Sequence, residues 1–151
     1  MPIEPATVSD IPRLCELLAL LFTQETEFSP NPSLQSEALR SILTSPESGA
    51  ILVCRDATGI TGMVSLLYTV STFLGGRVAL LEDMVVDPAH RGKGHGRELL
   101  QAAIDHAQKA GCRRITLLTD SHNAAARHFY ESFGFQPSPM QPYRLQLTVD
   151  A

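Results

Sequence analysis

Two hydrophobic periods divide this chain into helical and extended stretches. Ile3 to Thr7 reads as a short first strand. Thr7-Val8-Ser9-Asp10 supplies helix N-cap residues, and Pro12 sits where a first helical turn tolerates it. Apolar residues at 11, 14, 18, 21 and 22 then form a helical stripe, which Ser29-Pro30-Asn31-Pro32 ends near Phe28. Ser33 to Leu43 predicts a second helix with Leu34, Ala38, Leu39 and Ile42 inward. From Gly49 the pattern becomes apolar and β-branched. Ala50 to Arg55 and Ile60 to Val70, separated by Asp56-Ala57-Thr58-Gly59, predict a hairpin. Gly75-Gly76 marks a turn, and Val78 to Asp87 a third long strand. Gly94 to Ala110 is helical, with Leu99, Leu100, Ala103, Ile104 and Ala107 inward and Gly111 as its stop. A strand over Arg114 to Thr119, a short helix over Asn123 to Phe133 and a last strand over Tyr143 to Val149 complete the chain, with room for a short strand near Phe135. The order β-α-α-β-β-β-α-β-α-β predicts a mixed sheet with helices on both faces. Its 78–119 unit should be a right-handed parallel crossover.

Composition narrows the function classes. With 151 residues, 44% hydrophobic and 19% charged, the chain has the balance of one globular domain. A net charge of −4 argues against general nucleic-acid binding and suits a pocket for cations. Cys15, Cys54 and Cys112 are odd in number and widely spaced, which indicates neither a disulfide framework nor a zinc site. His90, His95, His106, His122 and His128 are scattered without paired-ligand spacing, so no metal is expected. Leu17 to Phe22 is far too short to span a bilayer, and no secretory leader is evident. The expectation is a cytoplasmic protein with no membrane partner.

The densest chemistry lies in Val85-Val86-Asp87-Pro88-Ala89-His90-Arg91-Gly92-Lys93-Gly94-His95-Gly96. A β-branched strand runs into a loop of alternating glycines and basic side chains, and a helix begins at once. Glycines let backbone amides approach phosphate oxygens, and a helix N-terminus adds positive charge. The loop reads as a diphosphate cradle. Lys93 lacks the upstream glycine of a Walker loop and is followed by Gly94. A dinucleotide fingerprint would need its third glycine where Arg97 or Leu99 stands.

Arg91, Gly94 and Gly96 do meet Q/R-x-x-G-x-G/A, preceded by Glu82-Asp83-Met84-Val85-Val86-Asp87-Pro88. Downstream comes Asn123-Ala124-Ala125-Ala126-Arg127-His128-Phe129-Tyr130, ending in Gly134-Phe135. With this loop, this helix and this order of elements, the chain resembles the GNAT superfamily of acyl-CoA-dependent N-acetyltransferases. Leu81-Glu82-Asp83 also resembles the branch acting on diamines and small amines. The resemblance implies a single N-acetyltransferase domain over residues 1–151. Its α/β fold would have a central mixed β-sheet of about six or seven strands and about four helices, with splayed parallel strands holding CoA.

The resemblance also assigns roles. Backbone groups of Met84, Val85 and Val86 would pair with the pantetheine of acetyl-CoA. The loop of Arg91, Gly92, Lys93, Gly94, His95, Gly96 and Arg97 would hold the diphosphate, and Asn123 would hydrogen-bond the cofactor or cap its helix. Tyr130 would protonate the departing thiolate, which a phenol with a pKa of about 10 suits. The amide of Val86 would serve the oxyanion. Glu82 and Asp83 are the candidate bases. In a regular strand they face opposite sides, unless a bulge alters that parity. Glu82 is assigned the base and Asp83 an amine-binding or structural role. Glu25, Glu27, Phe28 and Tyr68 would line the acceptor site. The expected reaction is acetyl transfer to a primary amine by direct attack in a ternary complex, most naturally on a small cationic amine. The alternatives are a peptide or protein amine, or a CoA-binding sensor without turnover. A homodimer is expected by analogy with the superfamily.

Overall fold

The computed structural model describes residues 2–24 and 30–148. The chain divides into two compact units, Met1–Leu118 and Thr119–Ala151.

The first unit is built on a five-stranded sheet in the order β1-β2-β3-β4-β5. The strands are β1 (Ile3–Pro5), β2 (Gly49–Asp56), β3 (Gly59–Ser71), β4 (Gly76–Val86) and β5 (Ile115–Leu117). Neighbours pair antiparallel through β4, and β5 joins β4 in parallel. Antiparallel neighbours need only tight turns, such as Ala57-Thr58 between β2 and β3, whereas the parallel pair needs a long crossover. Helix α3 (His95–Lys109) supplies it.

Helices α1 (Ile11–Gln24) and α2 (Pro32–Leu43) cover one face. Ile11, Leu14, Leu17, Leu18 and Leu39 bury against Ile51, Val53, Met63 and Val85. Leu34 and Ala38 are exposed on α2, so of the predicted inward stripe only Leu39 and Ile42 turn inward. The other face is covered by α3, which buries Leu99, Leu100, Ala103 and Ala107. A Cβ on Gly62 would stand 2.9 Å from Leu99 Cδ1, so the absence of a side chain in β3 sets how closely α3 can pack. Arg13 ties α1 to the start of β3 and the end of β4, which lie side by side. Its Nε donates to the Ile60 carbonyl at 3.0 Å, and its guanidinium pairs with Asp87 at 2.7 Å.

The second unit contains α4 (Ala124–Glu131), capped by Asn123. The last predicted strand does not form in the described residues. Residues 143–148 are irregular, with Tyr143, Leu145 and Leu147 exposed, and no strand forms at Phe135. Alternation of apolar side chains is only half of what a strand requires, since the backbone also needs a ladder partner. The described residues of this unit contain no second strand to provide one. The sheet therefore has five strands among the described residues, fewer than the six or seven expected.

Candidate active site

The site strand is β4, and its two edges differ. On one side it pairs with β3 along its length. On the other it meets β5 only where Ala79, Leu80 and Leu81 oppose Ile115, Thr116 and Leu117. From Glu82 to Val86, β4 has no strand on that side among the described residues. This is the gap expected of splayed parallel strands. Asp87 N–H donates to the Thr61 carbonyl on β3 at 2.7 Å. Backbone amides alternate in direction along a strand, so the amide of Val86 turns toward the open edge.

A bulge sits in the middle of this stretch. Met63 opposes Val85 and Ser65 opposes Glu82, so Val64 faces two residues, Asp83 and Met84. Asp83 absorbs the extra length with a φ of 55°. Asp is among the few non-glycine residues that accept this left-handed geometry. The bulge also overrides simple alternation. Glu82 lies opposite Ser65 in the register, while the buried Ser65 hydroxyl donates to Asp83 Oδ2 at 3.4 Å. Both carboxylates thus gather beside Ser65, in different surroundings. Glu82 is exposed, and Asp83 is half-buried. Burial, and then the neighbouring charge of Glu82, pushes the Asp83 carboxyl up to about 6, while the Ser65 hydrogen bond opposes the shift. A carboxyl tuned there can accept a proton near neutral pH.

The glycine loop follows β4 directly. Pro88–His90 forms a single 3-10 turn, capped by Asp87 Oδ1 accepting from Ala89 N–H at 2.9 Å. Gly92 and Gly94 have φ of 80° and 83°, and a Cβ on either would meet nothing within 4 Å. Their glycine identity is therefore favoured by backbone conformation rather than by packing, and the space around them is open. Gly94 is the N-cap of α3 and offers no capping side chain. The first α-helical bond there is from Glu98 N–H to the Gly94 carbonyl at 3.1 Å. The amides of His95 and Gly96 thus lie in the first turn, ahead of the first α-helical bond. Arg91, Lys93 and Arg97 are exposed around them. The backbone of His95 opens α3 beside the glycine loop, while its side chain is 2% exposed and bonded to Thr61.

Tyr68 is not brought to the carboxylates. It lies three residues beyond Ser65 in β3, hence on the opposite face. Arg77 Cζ stacks 4.8 Å above its ring, and burial raises its phenol. Glu25, Glu27 and Phe28 lie outside the described residues.

In the second unit, Asn123 Oδ1 accepts from Ala126 N–H at 3.0 Å, a helix cap that leaves its amide group for other contacts. Tyr130 is half-buried, edge-on to Phe129 and Phe135 at 5.3 and 5.9 Å. Burial raises its phenol above the ordinary value of 10.0, so it stays protonated across neutral pH.

Sequence reasoning missed Thr61 and Ser65. The signal was present, since two hydroxyl residues interrupt an apolar strand and buried hydroxyls need partners. Among the described residues no cluster of three metal-ligating side chains occurs, and no helix is long and apolar enough to cross a membrane.

Comparison with known proteins gives a consistent match. Residues 11–135 match the model of the acetyltransferase (GNAT) family. The uncharacterized N-acetyltransferase YhfO of Bacillus subtilis (strain 168) is 35% identical over 138 residues, covering 90% of each chain. Glucosamine 6-phosphate N-acetyltransferase 1 of Oryza sativa subsp. japonica is 30% identical over 146 residues, covering 92% of this chain and 83% of its own. An acetyltransferase of Clostridium acetobutylicum, solved with acetyl-CoA, superposes with a TM-score of 0.79. It covers 97% of this chain and 95% of its own at 18% identity, a likeness of fold.

Proposed function

The chain belongs to the acetyltransferase (GNAT) family, and from that premise we propose that it acetylates the primary amine of a small cationic molecule, with acetyl-CoA as donor. The observation that carries this reading is Asp83. A carboxylate tuned to about 6 stands in a bulge on the open edge of β4, one residue from an exposed Glu82. Two carboxylates at one place attract an ammonium ion.

The fit of acetyl-CoA rests on two features of this chain. The unpaired edge of β4 offers amides to an extended chain, and the open, left-handed glycines at 92 and 94 leave room for a diphosphate. Bound acetyl-CoA supplies the thioester. Met84, Val85 and Val86 would hold the pantetheine arm, while the amides from Gly92 to Arg97, with Arg91 and Lys93, would hold the diphosphate. Asn123 would add its amide group.

Asp83 takes the base role and removes one proton from the ammonium, directly or through water. Glu82 then serves as the electrostatic partner that draws the cation in. This exchanges the two roles assigned from sequence, for the reason that only Asp83 is desolvated. The Val86 amide stabilises the carbonyl oxygen as the amine nitrogen bonds to the thioester carbon. Tyr130 would give its phenolic proton to the sulfur as the C–S bond breaks, and the phenolate would recover a proton, directly or through water, from the nitrogen as it becomes the neutral amide. Arrival of two substrates together makes this a direct transfer with no acyl-enzyme.

Free-thiol release from acetyl-CoA, measured against a panel of amines, tests the reading. The name of the rice relative makes an amino-sugar phosphate the first acceptor to try, followed by diamines and amino acids. Release that depends on a small amine supports it. Tight binding of acetyl-CoA with turnover only on peptide amines, or with no turnover at all, overturns it.

The cradle has its own test. Gly94→Val places a β-branched residue at φ 83° and a side chain where the diphosphate approaches. Titration calorimetry should show acetyl-CoA affinity at least about tenfold weaker, in line with roughly 1–3 kcal/mol for strain of this kind. Unchanged affinity rejects the loop as the diphosphate site.

A further inference from the structure

Thr61 holds both ends of the diphosphate loop. Its backbone carbonyl accepts from Asp87 N–H at 2.7 Å, where the chain leaves β4. Its side-chain Oγ1 lies 2.9 Å from His95 Nδ1, where the chain enters α3. One residue of β3 thus fastens residues 87 and 95, and residues 88–94 span the interval between them. Thr61 is fully buried and His95 is 2% exposed, so water does not compete for the contact.

The geometry that permits this is a second bulge. Cys54 opposes Gly62 and Arg55 opposes Ile60, which leaves Thr61 as the extra residue of β3. Bulges re-aim side chains, and this one turns a hydroxyl into the base of α3. The hydroxyl also lies 3.3 Å from the Cys54 carbonyl, to which it can donate. With its one proton placed there, the Nδ1–H tautomer of His95 completes the pair by donating to Thr61. The contacts link His95, Thr61 and Cys54 within the packed interior.

Further groups lie on the same side of the loop. His90 stacks on His95 with ring centroids 5.8 Å apart, and its Nε2 lies 3.5 Å from Asp56. Asp87, besides capping the 3-10 turn, is held by Arg13 at 2.7 Å. The loop rim is exposed, whereas its two roots are fixed by buried polar contacts.

We propose that the Thr61–His95 pair is a positioning device for the diphosphate cradle, acting on cofactor affinity without touching the cofactor. It sets the first residue of α3, and with it the direction of the amides of His95, Gly96 and Arg97. Removing the hydroxyl takes the buried His95 Nδ1 away from its Thr61 partner, and α3 then shifts its first turn to satisfy it. The inference rests on the assignment of this loop to acetyl-CoA.

The test is Thr61→Val, which keeps the shape and the backbone bond, with Thr61→Ser as the conservative rescue. The dissociation constants for acetyl-CoA and for ADP, which carries an adenosine diphosphate but no pantetheine or thioester, are measured by calorimetry with the melting temperature of each variant. T61V should weaken both ligands by a similar factor, about tenfold. It should leave kcat at saturating acetyl-CoA and KM for the amine within about twofold. T61S should restore both affinities. The double variant Thr61→Val with His95→Leu replaces the polar pair by apolar groups and should recover stability without recovering affinity. A T61V protein that melts lower but binds both ligands as tightly as wild type overturns the proposal, since Thr61 would then be structural only. So does a T61V protein weakened for acetyl-CoA but not for ADP. Failure of the wild-type protein to bind acetyl-CoA is a separate result, which refutes the assignment of the loop itself.

Discussion

Asp83→Asn should lower kcat/KM for the amine by about a hundredfold or more, the range over which a positioned general base contributes. Asn is the informative replacement because it also accepts the left-handed φ of 55° that the bulge imposes, so lost activity cannot be charged to backbone strain. In the wild-type protein the pH profile of kcat/KM should rise through an apparent pKa near 6, and this limb should vanish in the Asn variant. Glu82→Gln should move the same limb downward, because the charge of Glu82 is one of the two causes that raise Asp83. A limb that survives in Asp83→Asn assigns the base elsewhere.

The same residue predicts a stability effect of opposite sign. The folded pKa of Asp83, about 6, lies above its ordinary value of 3.8. The native state therefore holds this proton more tightly than the unfolded chain. Stability declines as pH rises through that window, and the full penalty applies above about pH 6. A neutral Asn removes the penalty. Asp83→Asn should be more stable than wild type at pH 8 by about 1–3 kcal/mol, or a few degrees in melting temperature. The difference should close at pH 4. An inactive but stabilised variant is the expected mark of a desolvated functional carboxylate.

Tyr130→Phe should reduce kcat by about a hundredfold while the Kd for acetyl-CoA changes less than about threefold. Its ring sits edge-on between Phe129 and Phe135, and Phe preserves that packing. The hydroxyl alone is lost. Because burial raises its phenol above 10.0, no loss of activity from Tyr130 ionisation is expected through the neutral range. Equal losses in affinity and turnover would make Tyr130 a packing residue.

The elements of the first unit were legible because each is written locally. The 3.6-residue stripes of α1 and α3, the β-branched runs of β2 to β4, and Gly111 at φ 83° beyond α3 all appear in neighbouring residues. The glycine loop was legible for the same reason, since left-handed backbone at Gly92 and Gly94 needs glycine whatever surrounds it. Residues 143–148 were misread, because Tyr143, Leu145 and Leu147 carry the alternation of a strand without a ladder in their own unit. Tyr68 was placed by residue type alone, and one odd step along β3 put it on the other face from Ser65. His95 is read from the sequence only as one member of the glycine loop, and the burial of its side chain against Thr61 becomes visible only once α3 meets β3.

The chain by itself determined the order of its elements, the glycine loop and the pair of adjacent carboxylates. Tertiary structure decided which carboxylate is tuned and what holds the loop. Both depend on bulges, at Asp83-Met84 and at Thr61, that exist only through the register between strands. Register is a property of two segments at once, and desolvation is a property of everything packed around a group. Neither is encoded in the residues next to Asp83, because the partners that set them, such as Val64 and Ser65 on β3, are distant in the chain.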